Sequence, residues 1–226
     1  MDDTHGQTHE QARRELAGSR SGARAATGPV RLFKSDFLEW FTRTNLATIP
    51  VLWLPLCAGL LFLGIRDGAL SGAEIDGLVL IALLVWTGFE YTFHRFVFHL
   101  DRYFPGAESF CFLMHGSHHV DPGDAGRWLT PPVVSLPIFA GVLGIAVLAL
   151  GQDGGLVFGG VFGLAYVAYD VTHYACHDGR LRGRFGSYLR RYHLIHHFAD
   201  DTCNYGVTSP LWDWILRTER MSGRRG

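Results

Sequence analysis

Ten of the twelve histidines in this 226-residue chain fall in four short windows. They are His94 and His99 (HRFVFH), His115, His118 and His119 (HGSHH), His173 and His177 (HYACH), and His193, His196 and His197 (HLIHH). Scattered evenly, twelve histidines would place about one in the 21 positions that these windows occupy. Neutral imidazole is the commonest side-chain metal ligand, and residues three and four apart share a helix face. His173 and His177 are four apart, and both three-histidine boxes show a 0, 3, 4 pattern, so each set can converge on one point. His94 and His99 are five apart, about 140° round an ideal helix. They serve different ions, or the helix opens between them. A tetrahedral zinc takes three or four ligands, so ten suits two ions with about five each. All-nitrogen, near-octahedral ligation with an open position favours iron over calcium or magnesium, which prefer oxygen. Zinc would also accept such a site. A pair of irons so held is a candidate activator of O2.

The elements that must position these rings are apolar. The chain is 48% hydrophobic and 18% charged, where a soluble domain carries about 25% charge. Four stretches, at about 46–65, 77–100, 133–150 and 156–176, approach the roughly 20 apolar residues that a membrane span requires. The expected fold is therefore all-α: an integral membrane protein with about four transmembrane helices and a cytoplasmic, histidine-rich cap. Arg13, Arg14, Arg20, Arg24, Arg31, Lys34 and Arg43 precede the first stretch, and nine arginines follow the fourth. The positive-inside rule puts both termini and the middle connection in the cytoplasm, which brings all ten histidines to one membrane face. Residues 1–30 lack large apolar side chains and are expected to be a disordered tail. Residues 31–226 form one membrane-embedded domain. The net charge of −1 gives no reason to expect nucleic-acid binding. The four cysteines form no CxxC pair, which argues against a disulfide framework or a zinc ribbon. Gly155, Gly159 and Gly163 recur every fourth residue, a pattern for close helix packing.

Other polar residues flank the boxes. Glu90 stands four before His94 inside an apolar stretch, where a carboxylate is costly unless paired. It is expected to accept a hydrogen bond from a ligand histidine, with an ion pair to Arg95 as the alternative. Asp170 lies three before His173 and seven before His177, on the same helix face, with Tyr166 and Tyr169 close by. Asn204 and Tyr205 follow the last box and are expected to border the same cavity. Trp212 and Trp214 read as interface anchors.

The segments EYTFHRFVFH (90–99), HGSHH (115–119), YDVTHYACH (169–177), RYHLIHHF (191–198) and NYGVTSPLWDWILRT (204–218) resemble the fatty acid hydroxylase/sterol desaturase superfamily, most closely its fatty acid 2-hydroxylases. The resemblance spans roughly residues 75–218. It implies an O2-dependent monooxygenase with a diiron centre held by the ten histidines. The carbon hydroxylated would be the one beside the acyl carbonyl, with Asp170 and Tyr169 next to the reacting carbon and the lipid head. The fungal and animal members that it resembles carry a fused cytochrome b5 domain, whereas here only a short tail without an HPGG motif precedes the apolar stretches. Electrons are expected from a separate ferredoxin or cytochrome b5-like partner. Arg180, Arg182, Arg184, Arg190 and Arg191 could dock an acidic carrier or contact lipid headgroups. The membrane would be the inner membrane of a bacterium or the endoplasmic reticulum of a eukaryote. Alternatives are a carotenoid or sterol oxygenase or desaturase of the same superfamily, and a metal-binding or metal-transporting membrane protein. Transport needs polar groups at the bilayer midplane, and the apolar stretches have none there.

Overall fold

A computed structural model describes residues 30–221. The tail expected to be disordered, with His5 and His9, falls outside the described residues but for Val30. The described part is helical throughout. A short helix α1 (Asp36–Trp40) is followed by α2 (Thr48–Ile65) and α3 (Gly72–Thr92). Short helices α4 (Glu108–Cys111) and α5 (Ser117–Val120) lead to the long α6 (Pro132–Asp178). Two further helices, α7 (Gly183–Phe198) and α8 (Leu211–Leu216), complete the order.

Three helical stretches among the described residues are long and apolar enough to cross a membrane: Thr48–Ile65, Gly72–Phe98 and Ala125–Asp178. The third merges the two later apolar stretches. A straight 47-residue helix would run about 70 Å, over twice the roughly 30 Å of hydrocarbon. Helix α6 is not straight. Gly151 takes φ 76° and ψ 173°, a backbone open to glycine but not to other residues, and the chain doubles back there. The glycine repeat predicted to pack closely supplies the contact face. A Cβ on Gly155 would lie 2.5 Å from Val147 Cα, one on Gly159 2.5 Å from a Leu143 methyl, and one on Gly163 3.3 Å from the Phe139 ring. These pairs are symmetric about Gly151, as an antiparallel hairpin requires.

The hairpin packs on α2 and α3 around an aromatic layer. Trp53 meets Tyr166 at 4.5 Å and Phe139 at 4.9 Å, and Trp86 meets Phe162 at 5.0 Å. Side chains such as Val51, Leu80, Ile145 and Leu148 point outward, leaving an apolar exterior suited to lipid. Helix α3 starts on a capping box in which Ser71 and Glu74 satisfy each other's backbone donors. Helix α6 starts at Pro132 and stops at Gly179 with φ 75°.

This packing sets a test. Gly155→Val drives a side chain into the Val147 backbone and should cost at least about 1–3 kcal/mol, the usual range for overpacking. Gly141→Ala, with nothing within 4 Å of the added methyl, should leave the melting temperature in detergent close to that of the parent. Equal melting temperatures for the two variants would contradict the hairpin.

Candidate metal centre

The ten histidines gather into two groups of five. His94, His99, His115, His119 and His196 form one; His118, His173, His177, His193 and His197 form the other. Within each group one ring nitrogen per residue lies within 4.8 Å of all the rest. The groups are neighbours, for the rings of His119 and His197 stack at 4.1 Å across the boundary.

Local backbone explains the partition. Residues four apart project about 40° from each other on an α-helix, and residues three apart about 60° the other way. Every i, i+4 pair therefore stays in one group: His115 with His119, His173 with His177, and His193 with His197. The histidine at i+3, His118 or His196, crosses to the other. The three-histidine boxes thus do not each converge on one point, as their spacing alone allows; each straddles both groups. His94 and His99 share a group because Phe93–Phe98 is a π-helical turn. Its i→i+5 bonding brings residues five apart onto nearly one face, and the two rings stack at 5.4 Å. A second π turn, Phe112–Gly116, carries His115.

Backbone carbonyls fix three of the rings. Nδ1 of His94 lies 2.6 Å from the Tyr205 carbonyl, Nδ1 of His173 2.6 Å from that of Trp128, and Nδ1 of His196 2.6 Å from that of Cys203. A carbonyl only accepts, so each Nδ1 donates its proton and each Nε2 keeps its lone pair for a ligand. The Nε2 atoms face one another: 3.1 Å from His94 to His115, 2.9 Å from His115 to His119, and 3.2 Å from His99 to His196. In the second group they are 3.1 Å apart between His118 and His173, and 2.9 Å between His177 and His193. At such spacing two rings either share an N–H···N hydrogen bond, when one carries its proton on Nε2, or direct both lone pairs at one ion between them. With metal–nitrogen bonds of about 2.1 Å, ligands at right angles sit about 3.0 Å apart and tetrahedral ones about 3.4 Å. The observed edges match the former, so five-nitrogen sites of octahedral type fit both groups. Burial, reinforced by neighbouring imidazoles, holds His115, His118, His119, His193 and His197 well below the ordinary histidine range, and burial pushes His196 down to about 4. At neutral pH these rings are uncharged and ready to bind a cation.

The flanking residues fall in places that spacing did not reveal. Glu90 is buried but accepts from no histidine and pairs with no arginine. It accepts from the Val207 and Thr208 backbone N–H groups, the Thr208 hydroxyl and Trp86 Nε1. Glu90 thereby clamps the loop whose Tyr205 carbonyl orients His94. Asn204 lines neither cavity described below. It is fully buried with φ 58° and bonds the Tyr192 carbonyl and both backbone groups of Arg220, tying down the segment after α8. Trp214 is exposed, whereas Trp212 packs on Gly88 and donates to Thr87, so it is a packing residue. Asp213 completes the loop by accepting from the Tyr205 and Gly206 N–H groups. The orienting carbonyls of Trp128, Cys203 and Tyr205 carry no side-chain signature, so no motif could have announced them.

Two cavities meet beside the histidines. The larger, about 430 Å3, is lined by Phe33, Leu38 and Phe41 at α1, by Pro131 and Val134 at the start of α6, and by His115, His118 and His173. It touches both histidine groups. The smaller, about 60 Å3, lies among Trp53, Trp86, Phe139 and His94. Tyr169, Phe98 and Thr130 border both. Tyr169 also lies parallel to the His173 ring at 5.9 Å. Asp170, next in sequence, is fully buried beside the Tyr166 hydroxyl and the Thr130 backbone and lines neither cavity. Among the described residues, Arg127 is the one charged side chain lining the larger cavity. It is neutralised by Glu39 at 2.5 Å and Asp124 at 3.6 Å.

Comparison with known proteins agrees with this arrangement. The fatty acid hydroxylase family model matches residues 79–218. A dihydroceramide fatty acyl 2-hydroxylase of Arabidopsis thaliana, FAH2, is 37% identical over 192 residues, covering 84% of this chain and 80% of that protein. The human fatty acid 2-hydroxylase is 33% identical over 216 residues, covering 85% of this chain and 57% of that protein. The solved hydroxylase domain of scs7p superposes with a TM-score of 0.82 at 27% identity, covering 96% of this chain and 81% of that one. The family match over residues 79–218 and the identity to FAH2 over most of both chains place the two histidine groups and the helices that hold them in one known family: the chain belongs to the fatty acid hydroxylase family.

Proposed function

We propose that the protein hydroxylates C2 of a fatty acyl chain, using O2 and two metal ions, taken to be iron, at the cytoplasmic membrane face. The observation that carries this reading is the pair of five-histidine groups facing one apolar cavity. The net reaction takes the acyl C–H, O2, two electrons and two protons to the alcohol and water. Bound in the two histidine groups, the irons would supply O2 activation and removal of hydrogen from an unactivated carbon.

The chain's own residues do the rest. The four apolar arms, with both arms of the α6 hairpin counted, cross the bilayer and hold the histidine-bearing ends at one face. The larger cavity takes the acyl chain and keeps water out. Tyr169, shared by both cavities and packed on His173, sets how far the chain enters and so which carbon faces the ions. Asp170 stands behind it as a buried acceptor for the polar group beside that carbon.

The acyl carrier follows from charge. A free carboxylate or a phosphate-bearing thioester needs a cation in the cavity, and Arg127 is already satisfied by two carboxylates. A neutral amide-linked acyl chain suits this lining, as the ceramide-directed names of the Arabidopsis relatives suggest.

The test is lipid analysis in a host that makes no 2-hydroxy lipids, supplied with an electron carrier. Expression should add one oxygen at C2 of N-acyl sphingolipids, while free acids stay unmodified. A hydroxyl elsewhere on the chain, or a double bond in its place, would refute the assignment.

A further inference from the structure

Nine of the ten histidines in the two groups are buried; His177 alone reaches partway to the surface. Trp128 stacks on one side of its ring at 5.4 Å. Directly after His177 the chain leaves α6 through Asp178 and Gly179 and enters α7, and Arg180 and Arg182 on this connection, with Arg184 and Arg191 on α7, are exposed. Arg180 is paired with Asp178. Arg182, Arg184, Arg190 and Arg191 have no carboxylate within ion-pair reach among the described residues. Arg190 instead donates to the Cys176 carbonyl at 3.1 Å, next to His177. Phe185 projects from the same turn, 65% exposed.

We propose that this basic rim around His177 is the docking surface for an acidic one-electron carrier protein, and that electrons enter the metal pair through the His177 edge. The inference rests on the oxygen-dependent reading above, which consumes two electrons per product. Each docking oxidises the carrier by one electron. Two dockings supply the pair that, with two protons, reduces one atom of O2 to water.

Three observations favour this site. Electron transfer falls off exponentially with distance, and His177 is the one ligand-set ring with an edge near solvent. Arg190, held on the neighbouring Cys176 carbonyl, and Arg182, Arg184 and Arg191, which follow within fourteen residues and have no carboxylate partner among the described residues, form a local positive field that steers an acidic partner and raises its association rate. Helix α7, with Arg182 at its N-cap, carries Arg184, Arg190 and Arg191 as well as His193, His196 and His197, so a carrier held at its start is rigidly placed against the metal ligands. An anionic lipid surface would also be drawn to these arginines, but it gives no reason for the half-buried ligand ring to stand at the head of this basic segment.

The experiment uses the full chain in nanodiscs of phosphatidylcholine alone, with two acidic probes, the soluble haem domain of cytochrome b5 and a plant-type ferredoxin. Binding is read by fluorescence anisotropy. At least one probe should bind the parent, about tenfold or more weakly in the double variant R182E/R184E, and more weakly at high salt. Arg66→Glu, a charge reversal at the opposite end of the bundle, should bind like the parent. Hydroxylation driven by a small neutral photoreductant should be the same in R182E/R184E as in the parent. Binding of neither probe to the parent would overturn the proposal. So would unchanged binding by R182E/R184E, or a loss confined to nanodiscs containing phosphatidylserine. Absence of photoreductant-driven product in the parent would count against the hydroxylase reading, while the binding data still judge the rim.

Discussion

Replacing His118 and His119 together by alanine is expected to strip both metal ions from the chain, whereas replacing His119 and His196 together should leave one. His118 and His119 are adjacent in sequence yet belong to different groups; His119 and His196 are 77 positions apart and share one. Each double variant deletes two imidazoles, so their total ligand loss is the same. What differs is whether one site falls to three nitrogens or both fall to four. Loss of a residue that merely orients a ligand already costs 10–100-fold in metal affinity, so loss of a ligand should cost at least that. Metal counting per chain after dialysis against a weak chelator gives the answer. The third combination, His118→Ala with His197→Ala, should again retain one ion, because both belong to the second group. Hydroxylation should fall below detection in all three. Metal content that follows the number of histidines removed, whatever their group, would defeat the partition.

Substituting Glu90 by alanine should damage the first group while leaving the second intact. Its carboxylate accepts from two backbone N–H groups and a hydroxyl in the loop 204–208, and from the Trp86 indole N–H on α3 itself. Removing it orphans buried donors at about 1–3 kcal/mol each, several kcal/mol in all. The loop then loses its hold on α3, and the Tyr205 carbonyl loses its fixed position 2.6 Å from His94 Nδ1. His94 should become free to rotate or change tautomer. We expect a clear drop in melting temperature and about 10–100-fold weaker binding at one of the two metal sites. Glu90→Gln separates the causes. It keeps the volume but turns an N–H2 toward donors, so it should also weaken metal binding with less loss of packing. Unchanged metal affinity in both variants would show that the loop holds its position without Glu90.

The sequence by itself determined the composition of the site and the length of its supports. Ten histidines in four boxes, four apolar stretches and a glycine repeat were all legible, because metal ligands, lipid-facing residues and helix contacts each demand particular residue types at particular spacing. Spacing also put His173 and His177 on one helix face, and they fall in one group. Which boxes contribute to the same histidine group depends on the folded arrangement. A box of the form 0, 3, 4 projects in two directions, and which direction meets which neighbour depends on how whole helices cross. The folded arrangement also decided that His94 and His99 cooperate, since a π turn is a backbone feature without a reliable residue signature. The role of Glu90, clamping a loop rather than holding a histidine, likewise came from a contact between positions 117 and 118 apart. The carbonyls that set the histidine tautomers belong to every residue alike, so nothing in a side-chain code could mark Trp128, Cys203 or Tyr205 for that task.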